Sequence, residues 1–105
     1  MSLTKLPNYL RRYRKREGLT QEEIAFLLGS KSSTKVSRYE RFVRTPNLET
    51  ALAYEVIFGV PVRELFAGIH QRVQAKVIRR TAILSRRAER RTNTQRITNT
   101  TRSGR

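Results

Sequence analysis

Apolar side chains recur at helical spacing through the first two thirds of the chain. Leu10 and Tyr13 stand three residues apart and Gly18 follows them, so the pattern predicts a first helix over residues 8–17. No run alternates apolar and polar residues between tight turns, which is the pattern of a half-buried strand. The pattern therefore predicts an all-α fold.

A second helix is predicted to begin at Thr20. The Thr20 hydroxyl can accept a hydrogen bond from a backbone amide of the first turn, while Glu23 reaches back to complete a capping box. Gly29 can take the left-handed conformation that closes a helix. The side chains that this short helix would bury are Ile24, Ala25 and Leu28.

A third helix follows a hydroxyl-rich turn over residues 30–33. Val36 and Tyr39 give this helix one narrow apolar stripe and leave its other faces polar. Its predicted range is residues 33–40.

A fourth and a fifth helix follow the break at Thr45-Pro46. Asn47 can cap the fourth helix, which ends at Gly59, and Pro61 opens the fifth. The fourth helix carries the apolar residues Leu48, Leu52, Val56 and Ile57, and the fifth would bury Leu65 and Phe66.

Residues 69–105 differ in composition from residues 1–68. The first 68 residues hold 12 Lys and Arg against 7 Glu, a net charge of +5, whereas the rest hold 11 against 1, a net charge of +10. We expect a folded domain over 1–68, a basic amphipathic helix over 69–91 and a disordered basic tail over 92–105. The predicted apolar stripe of this helix is Ile69, Val73, Val77, Leu84 and Ala88.

The whole chain carries a net charge of +15, which suits a polyanionic partner. Nucleic acid is the first candidate, and an anionic membrane surface is the other. No apolar run approaches the roughly 20 residues that cross a bilayer, and the first residues lack the apolar stretch of a signal peptide. We expect a cytoplasmic, nucleoid-associated protein without a membrane partner.

The residue types present exclude several kinds of site. The chain has no cysteine and one histidine, so it has neither disulfides nor the ligands of a zinc finger. We expect no metal and no cofactor. No nucleophile-and-base constellation and no Gly-rich phosphate loop occur in the sequence, so we expect no enzyme.

Residues 10–66 resemble the Cro/repressor-type helix-turn-helix family, also called the XRE family. The motifs that carry the resemblance are Thr20-Gln21-Glu22-Glu23, Ala25, Gly29, Val36-Ser37-Arg38-Tyr39-Glu40, Pro46 and Gly59-Val60. The resemblance implies a compact five-helix lambda-repressor-like domain that binds double-stranded DNA and regulates transcription, by default as a repressor. It also implies that the third helix lies in the major groove.

The resemblance assigns DNA-contacting roles by position. It places Gln21 against a phosphate at the start of the second helix and directs Ser33, Thr34, Ser37 and Arg38 toward bases. Arg38 is the strongest candidate for reading a base, because its fork can bond a guanine at two points. The remaining positions would contact the DNA backbone or a groove edge: Lys31, Ser32, Lys35, Arg41 and Arg44.

The resemblance also implies a structural ion pair between Arg14 and Glu40. The sequence departs from the family pattern at three places. The turn over residues 29–33 is one residue longer, which can shift the register of base contacts by one residue. Phe42 stands where the family commonly has glycine. Glu55 stands where a small buried residue is common, so we expect it to pair with a basic neighbour.

The sequence alone does not determine what covers the apolar stripe of residues 69–91. It can dock on residues 1–68, pair with the same helix of a second subunit, or bind another protein, and pairing into a homodimer is the preferred interpretation. Two alternative functions remain: an antitoxin-type regulator that binds a partner protein through this helix, and a basic factor associated with RNA or the ribosome.

Overall fold

The computed structural model describes the backbone of residues 5–98 and the side chains of residues 5–91. It forms two compact units, one ending at Gln71 and the other beginning at Arg72, and each is described by itself. The described residues form six helices and no strand, which confirms the all-α prediction. The helices are α1 (Leu10–Arg16), α2 (Gln21–Leu27), α3 (Thr34–Glu40), α4 (Leu48–Phe58), α5 (Val62–Leu65) and α6 (Ala67–Thr98).

Asn8 fixes the start of α1. Its side-chain oxygen accepts a hydrogen bond from the Leu10 backbone amide at 3.1 Å, and its side-chain nitrogen donates to the Tyr39 carbonyl at 2.9 Å. Asn8 is buried, so both of its polar atoms are satisfied within the protein. The residue therefore ties the first turn of α1 to the end of α3.

The predicted capping box of α2 is present. The Thr20 hydroxyl accepts from the Glu23 backbone amide at 3.0 Å, and the Glu23 carboxylate accepts from the Thr20 amide at 2.8 Å. The helix closes at Gly29, whose φ of +77° lies in the left-handed region that glycine adopts without strain. The chain then turns, and α3 begins at Thr34, within one residue of the predicted start.

One apolar core lies inside the first unit. Tyr54 of α4 is 1 % exposed and contacts other aromatic rings, with ring centroids 5.9 Å from Phe58, 6.3 Å from Tyr39 and 6.5 Å from Phe66. These contacts link α3 and α4 to the segment after α5. The fully buried residues around Tyr54 include Leu10, Ile24, Val36 and Leu65.

Three of the four apolar residues predicted on α4 lie off its buried face, and the fourth, Ile57, packs against the core. Leu48 is 72 % exposed, Leu52 is 47 % exposed and Val56 is 82 % exposed, whereas Ala51 and Tyr54 are buried. The pattern misleads because α4 carries apolar residues around most of its circumference, so helical spacing alone does not select a face. Asn47 caps the helix as predicted, since its side chain accepts from the Thr50 amide at 2.9 Å.

Glu55 bonds to the backbone, and the prediction of a basic partner for it is wrong. Its carboxylate accepts a hydrogen bond from the Val62 amide at 2.9 Å, at the first residue of α5. A helix begins with unpaired backbone amides, so a carboxylate there stabilises the first turn. Leu65 and Phe66 are buried after this turn, as predicted.

The residues before α1 are hydrogen-bonded to the start of α6. The Gly68 amide donates to the Leu6 carbonyl at 2.8 Å, and the Tyr9 amide donates to the Leu65 carbonyl at 2.8 Å. A Cβ atom at position 68 would collide with the Leu6 carbonyl, so this close approach requires glycine.

Helix α6 continues to Thr98, seven residues beyond the predicted end of the basic helix at residue 91. Neither Pro nor Gly occurs between Ile69 and Ser103, so no residue of that kind stops the helix. Residues 99–105, the rest of the predicted disordered tail, lie outside the described residues. Within residues 5–98, no helix is both long enough and apolar enough to span a membrane.

Candidate nucleic-acid interface

One face of α3 is exposed and polar, and the opposite face is buried. Thr34, Ser37 and Arg38 stand at positions i, i+3 and i+4, which lie on one side of a helix. Arg41, the residue after the last turn, continues that side at i+7. Its guanidinium Nε donates to the Ser37 hydroxyl at 3.2 Å, which places the two side chains together. The residues that hold the other side of α3 in the core are Val36, Tyr39 and Glu40.

The turn before α3 and the flank of that helix add two cations and a set of hydroxyls. Lys31 and Lys35 are exposed, one in the turn and one on the flank of α3. The Ser32 hydroxyl is engaged within the turn, because it accepts a hydrogen bond from the Thr34 amide at 3.2 Å. Ser33 is half-buried and lies 3.4 Å from a Glu22 carboxylate oxygen. The structure therefore groups Thr34, Ser37, Arg38 and Arg41, and sets Ser33 apart from them.

The segment after α3 folds back onto the end of that helix. The Val43 amide donates to the Arg38 carbonyl at 2.9 Å, and the Phe42 amide donates to the Tyr39 carbonyl at 3.1 Å. Phe42 has a φ of +64°, the one positive φ of a non-glycine residue among the described residues. The glycine common in the family at this position thus matches a left-handed backbone. Arg44, which ends the segment, is exposed.

A buried ion pair ties α1 to the end of α3. Arg14 Nε lies 2.6 Å from Glu40 Oε2, and a second guanidinium nitrogen lies 3.1 Å from Glu40 Oε1. The hydrogen bond to Glu40 raises the pKa of the Arg14 guanidinium above its ordinary range, although burial opposes that shift. Arg14 also donates to the Leu19 carbonyl at 2.9 Å, at the entrance to α2.

The Gln21 side chain belongs to this same cluster. Its amide nitrogen donates to Glu40 Oε1 at 3.1 Å, so one amide hydrogen points into the protein. The Glu40 carboxylate therefore holds α1, α2 and α3 in one arrangement. A role for Gln21 at a phosphate rests on the family resemblance.

Sequence reasoning missed the role of Asn8. The local signal was visible, because asparagine commonly stands just before a helix. Its second bond, to the Tyr39 carbonyl across 31 positions, depends on the tertiary arrangement. Asn8 thus supports the end of α3 from the side opposite the exposed polar face.

The exposed face of α3, the basic residues on either side of it and the short α2 in front form the arrangement of a DNA-reading helix-turn-helix. A helix-turn-helix family model matches residues 10–65, more than half of the 105-residue chain. No curated protein matches the sequence. The chain belongs to the Cro/repressor-type helix-turn-helix family of DNA-binding transcriptional regulators.

Proposed function

We propose that this protein is a sequence-specific transcriptional repressor that places α3 in the major groove of double-stranded DNA. The observation that carries the proposal is the two-sided character of α3. The helix buries Val36 and Tyr39, and its other side presents the exposed Thr34 and Arg38 with the half-buried Ser37. A recognition helix needs both properties: a buried side that fixes its position and a free polar side that meets the base edges.

Arg38 is the proposed base reader. It is exposed, it lies in the last turn of α3, and a guanidinium can donate two hydrogen bonds to a guanine. Arg41 lies beside Ser37 through their 3.2 Å hydrogen bond, which favours a joint contact with the edge of the groove. Thr34 shares this face and would add a hydroxyl contact.

The remaining cations would contact phosphates. Lys31, Lys35 and Arg44 are exposed before, beside and after α3, where positive charge supports affinity without reading sequence. Ser32 and Ser33 are part of the proposed interface by resemblance. Ser33 has the weaker geometric support because its hydroxyl lies 3.4 Å from a Glu22 carboxylate oxygen. Gln21 enters the proposal by resemblance alone.

The proposal includes a homodimer, the form in which family members often meet two DNA half-sites about one helical turn apart. The exposed stripe of α4, formed by Leu48, Leu52 and Val56, supports it, since a helix that is apolar on both sides is usually covered on both. In residues 69–91 the exposed large apolar residues Val73, Val77 and Leu84 are the second candidate surface, for the same partner or for another protein.

The experiment compares three proteins on two duplexes. The parent chain, Arg38→Ala and the control Arg63→Ala, which removes one exposed cation from α5, are titrated with DNA from upstream of the protein's own gene and with the same DNA scrambled. Measurements at two salt concentrations separate sequence reading from charge attraction.

If α3 reads sequence, the parent prefers the upstream duplex at the higher salt concentration. Arg38→Ala loses about 1–3 kcal/mol of that preference, while Arg63→Ala keeps it. Equal binding of both duplexes by the parent, with salt removing both together, would overturn the proposal. Tighter binding of an RNA hairpin than of either duplex would favour an RNA-associated function instead.

A further inference from the structure

Every cation of the second unit whose side chain is described lies on one side of α6. Between Arg72 and Arg91 the sequence holds eight Lys and Arg and a single acidic residue, Glu89. At about 100° per residue, all eight fall within an arc of about 140°. We call this arc the basic face; its cations are Arg72, Lys76, Arg79, Arg80, Arg86, Arg87, Arg90 and Arg91.

The rest of the circumference holds no cation. Ten residues between positions 74 and 89 occupy it, and three of them are large and apolar, namely Val77, Ile78 and Leu84. The others are small or uncharged polar residues, apart from Glu89. The helix is therefore divided into a basic side and a neutral side. Solubility alone does not require the charges to be separated in this way.

The basic face is exposed, and none of its cations forms a salt bridge with a described acidic side chain. All eight cations are exposed. The one salt bridge among the described side chains is the Arg14–Glu40 pair of the first unit. Several of these cations stand three or four positions apart, as Lys76 does from Arg80, and like charges at that spacing destabilise a helix. A polyanion along this face would remove the repulsion.

Along their axes, α6 and one strand of DNA carry opposite charges at similar density. The segment from residue 72 to residue 91 is about 28 Å long, so its eight cations average about one per 3.5 Å. One strand of B-DNA carries one phosphate per about 3.4 Å of helix axis. Seven of the eight cations are arginine, whose planar fork bonds phosphate oxygens in pairs.

The neutral side argues against a membrane as the partner. A helix that lies in a bilayer interface usually presents bulky Trp, Phe and Leu side chains on its apolar side. The neutral side of α6 has no aromatic residue among residues 72–91, and Leu84 is its one leucine. Phosphates of duplex DNA, the partner of the family, fit the basic face better.

We infer that the basic face of α6 is a second DNA-binding surface, which contacts phosphates without reading sequence. This inference goes beyond the proposed role of α3, because it assigns a contact to a separate unit of the chain. It predicts a binding energy that depends on salt and not on the base sequence.

The test uses two full-length triple variants that change the net charge equally. The first replaces three cations of the basic face, Lys76→Gln, Arg80→Gln and Arg87→Gln. The matched control adds three acids on the neutral side, Gln74→Glu, Thr81→Glu and Ser85→Glu. Both lower the net charge from +15 to +12 by removing three units of charge from the same helix. Circular dichroism checks that each variant keeps its helices.

Binding of a scrambled duplex is measured between 50 and 200 mM salt. Each lost phosphate contact lowers the salt slope by about 0.9, so the basic-face variant should lose up to about 2.7 units of slope. Over this fourfold change in salt, the affinity of the parent should then fall about 40-fold more than that of the variant. The control variant should keep most of the parent's slope.

Several results would overturn the inference. An unchanged slope in the basic-face variant, or an equal loss in both variants, would show that position on the helix does not matter. If the basic-face substitutions weaken binding to an RNA hairpin or to anionic phosphatidylserine vesicles and leave duplex DNA unaffected, the face serves that partner instead. The ratio of upstream to scrambled binding reports on α3 separately, because it depends on Arg38 and should survive the basic-face substitutions.

Discussion

The Glu40 carboxylate at the end of α3 accepts two hydrogen bonds from Arg14, at 2.6 and 3.1 Å. It also accepts one from Gln21 at the start of α2. The Glu40 side chain is 3 % exposed and that of Arg14 is 11 % exposed, so the pair is withdrawn from solvent. A buried pair of this kind fixes a geometry, since each charge is costly without the other.

Replacing Glu40 by alanine should destabilise the protein by about 3–5 kcal/mol, because the Arg14 guanidinium would stay buried without its counter-charge. Urea denaturation followed by circular dichroism measures the change. Glu49→Ala, which removes an exposed carboxylate from α4, is the control and should shift stability by less than about 0.5 kcal/mol. A Glu40→Ala curve that superimposes on the parent's would show that the pair contributes nothing.

The Tyr54 hydroxyl is buried and has no hydrogen-bond partner among the described residues. Tyr54→Phe keeps the ring contacts and removes the unpaired group, so stability at pH 7 should rise by about 1 kcal/mol. Tyr13→Phe, at a half-buried ring, serves as the control and should change stability little. A loss of stability in Tyr54→Phe at pH 7 would mean that the hydroxyl has a partner after all.

Tyr54 should also make the protein sensitive to alkali. Burial, with a further contribution from the Glu40 carboxylate, raises the pKa of Tyr54 above its ordinary value of 10.0. As the pH rises past 10, the unfolded chain loses this proton while the folded protein keeps it, so stability falls. At pH 11 the parent should have lost about 1.4 kcal/mol more than Tyr54→Phe, measured by urea denaturation at each pH. Parallel pH profiles for the two proteins would contradict this.

Phe42 holds a left-handed backbone that glycine adopts more readily. Phe42→Gly should therefore be more stable than Phe42→Ala by about 1 kcal/mol, because both lose the ring and alanine alone keeps the strain. Comparing the two variants with each other cancels the contribution of the aromatic side chain. Equal melting temperatures would mean that the backbone at this position relaxes at no cost.

The exposed stripe of α4 predicts the state of association. If it pairs two copies, Leu52→Glu should convert a dimer to a monomer in sedimentation experiments at micromolar concentration, because the pairing would bury an unpaired charge. Phe26→Glu, at an exposed apolar position on α2, is the matched control and should leave the dimer intact. Dissociation by Val77→Glu, with Leu52→Glu still dimeric, would move the interface to α6.

The local signals in the sequence predicted most of the helices. Thr20, Asn47 and Gly59 act within a few residues, so the helix ends that they set could be predicted without tertiary information. The buried side of α4 could not, because Leu48 and Tyr54 are both apolar and lie on different sides of that helix. Which side of α4 is buried depends on how it packs against the other helices.

The candidate site shows the same division. The exposed side of α3 follows from where Val36 and Tyr39 stand, and these two positions were predicted correctly as its apolar stripe. The bond of Asn8 to the Tyr39 carbonyl and that of Glu55 to the Val62 amide end on backbone atoms, 31 and 7 positions away. Residue type gives no sign of such partners.

The contact between Leu6 and Gly68 brings the two ends of the first unit together in space. A unit whose ends meet can be cut and rejoined elsewhere, since a short linker spans the gap without distorting either end. This makes the DNA-binding unit suitable for circular permutation. The unit can also be inserted into a surface loop of another protein. The two ends of that loop would keep its termini close together, as the Leu6–Gly68 contact does here.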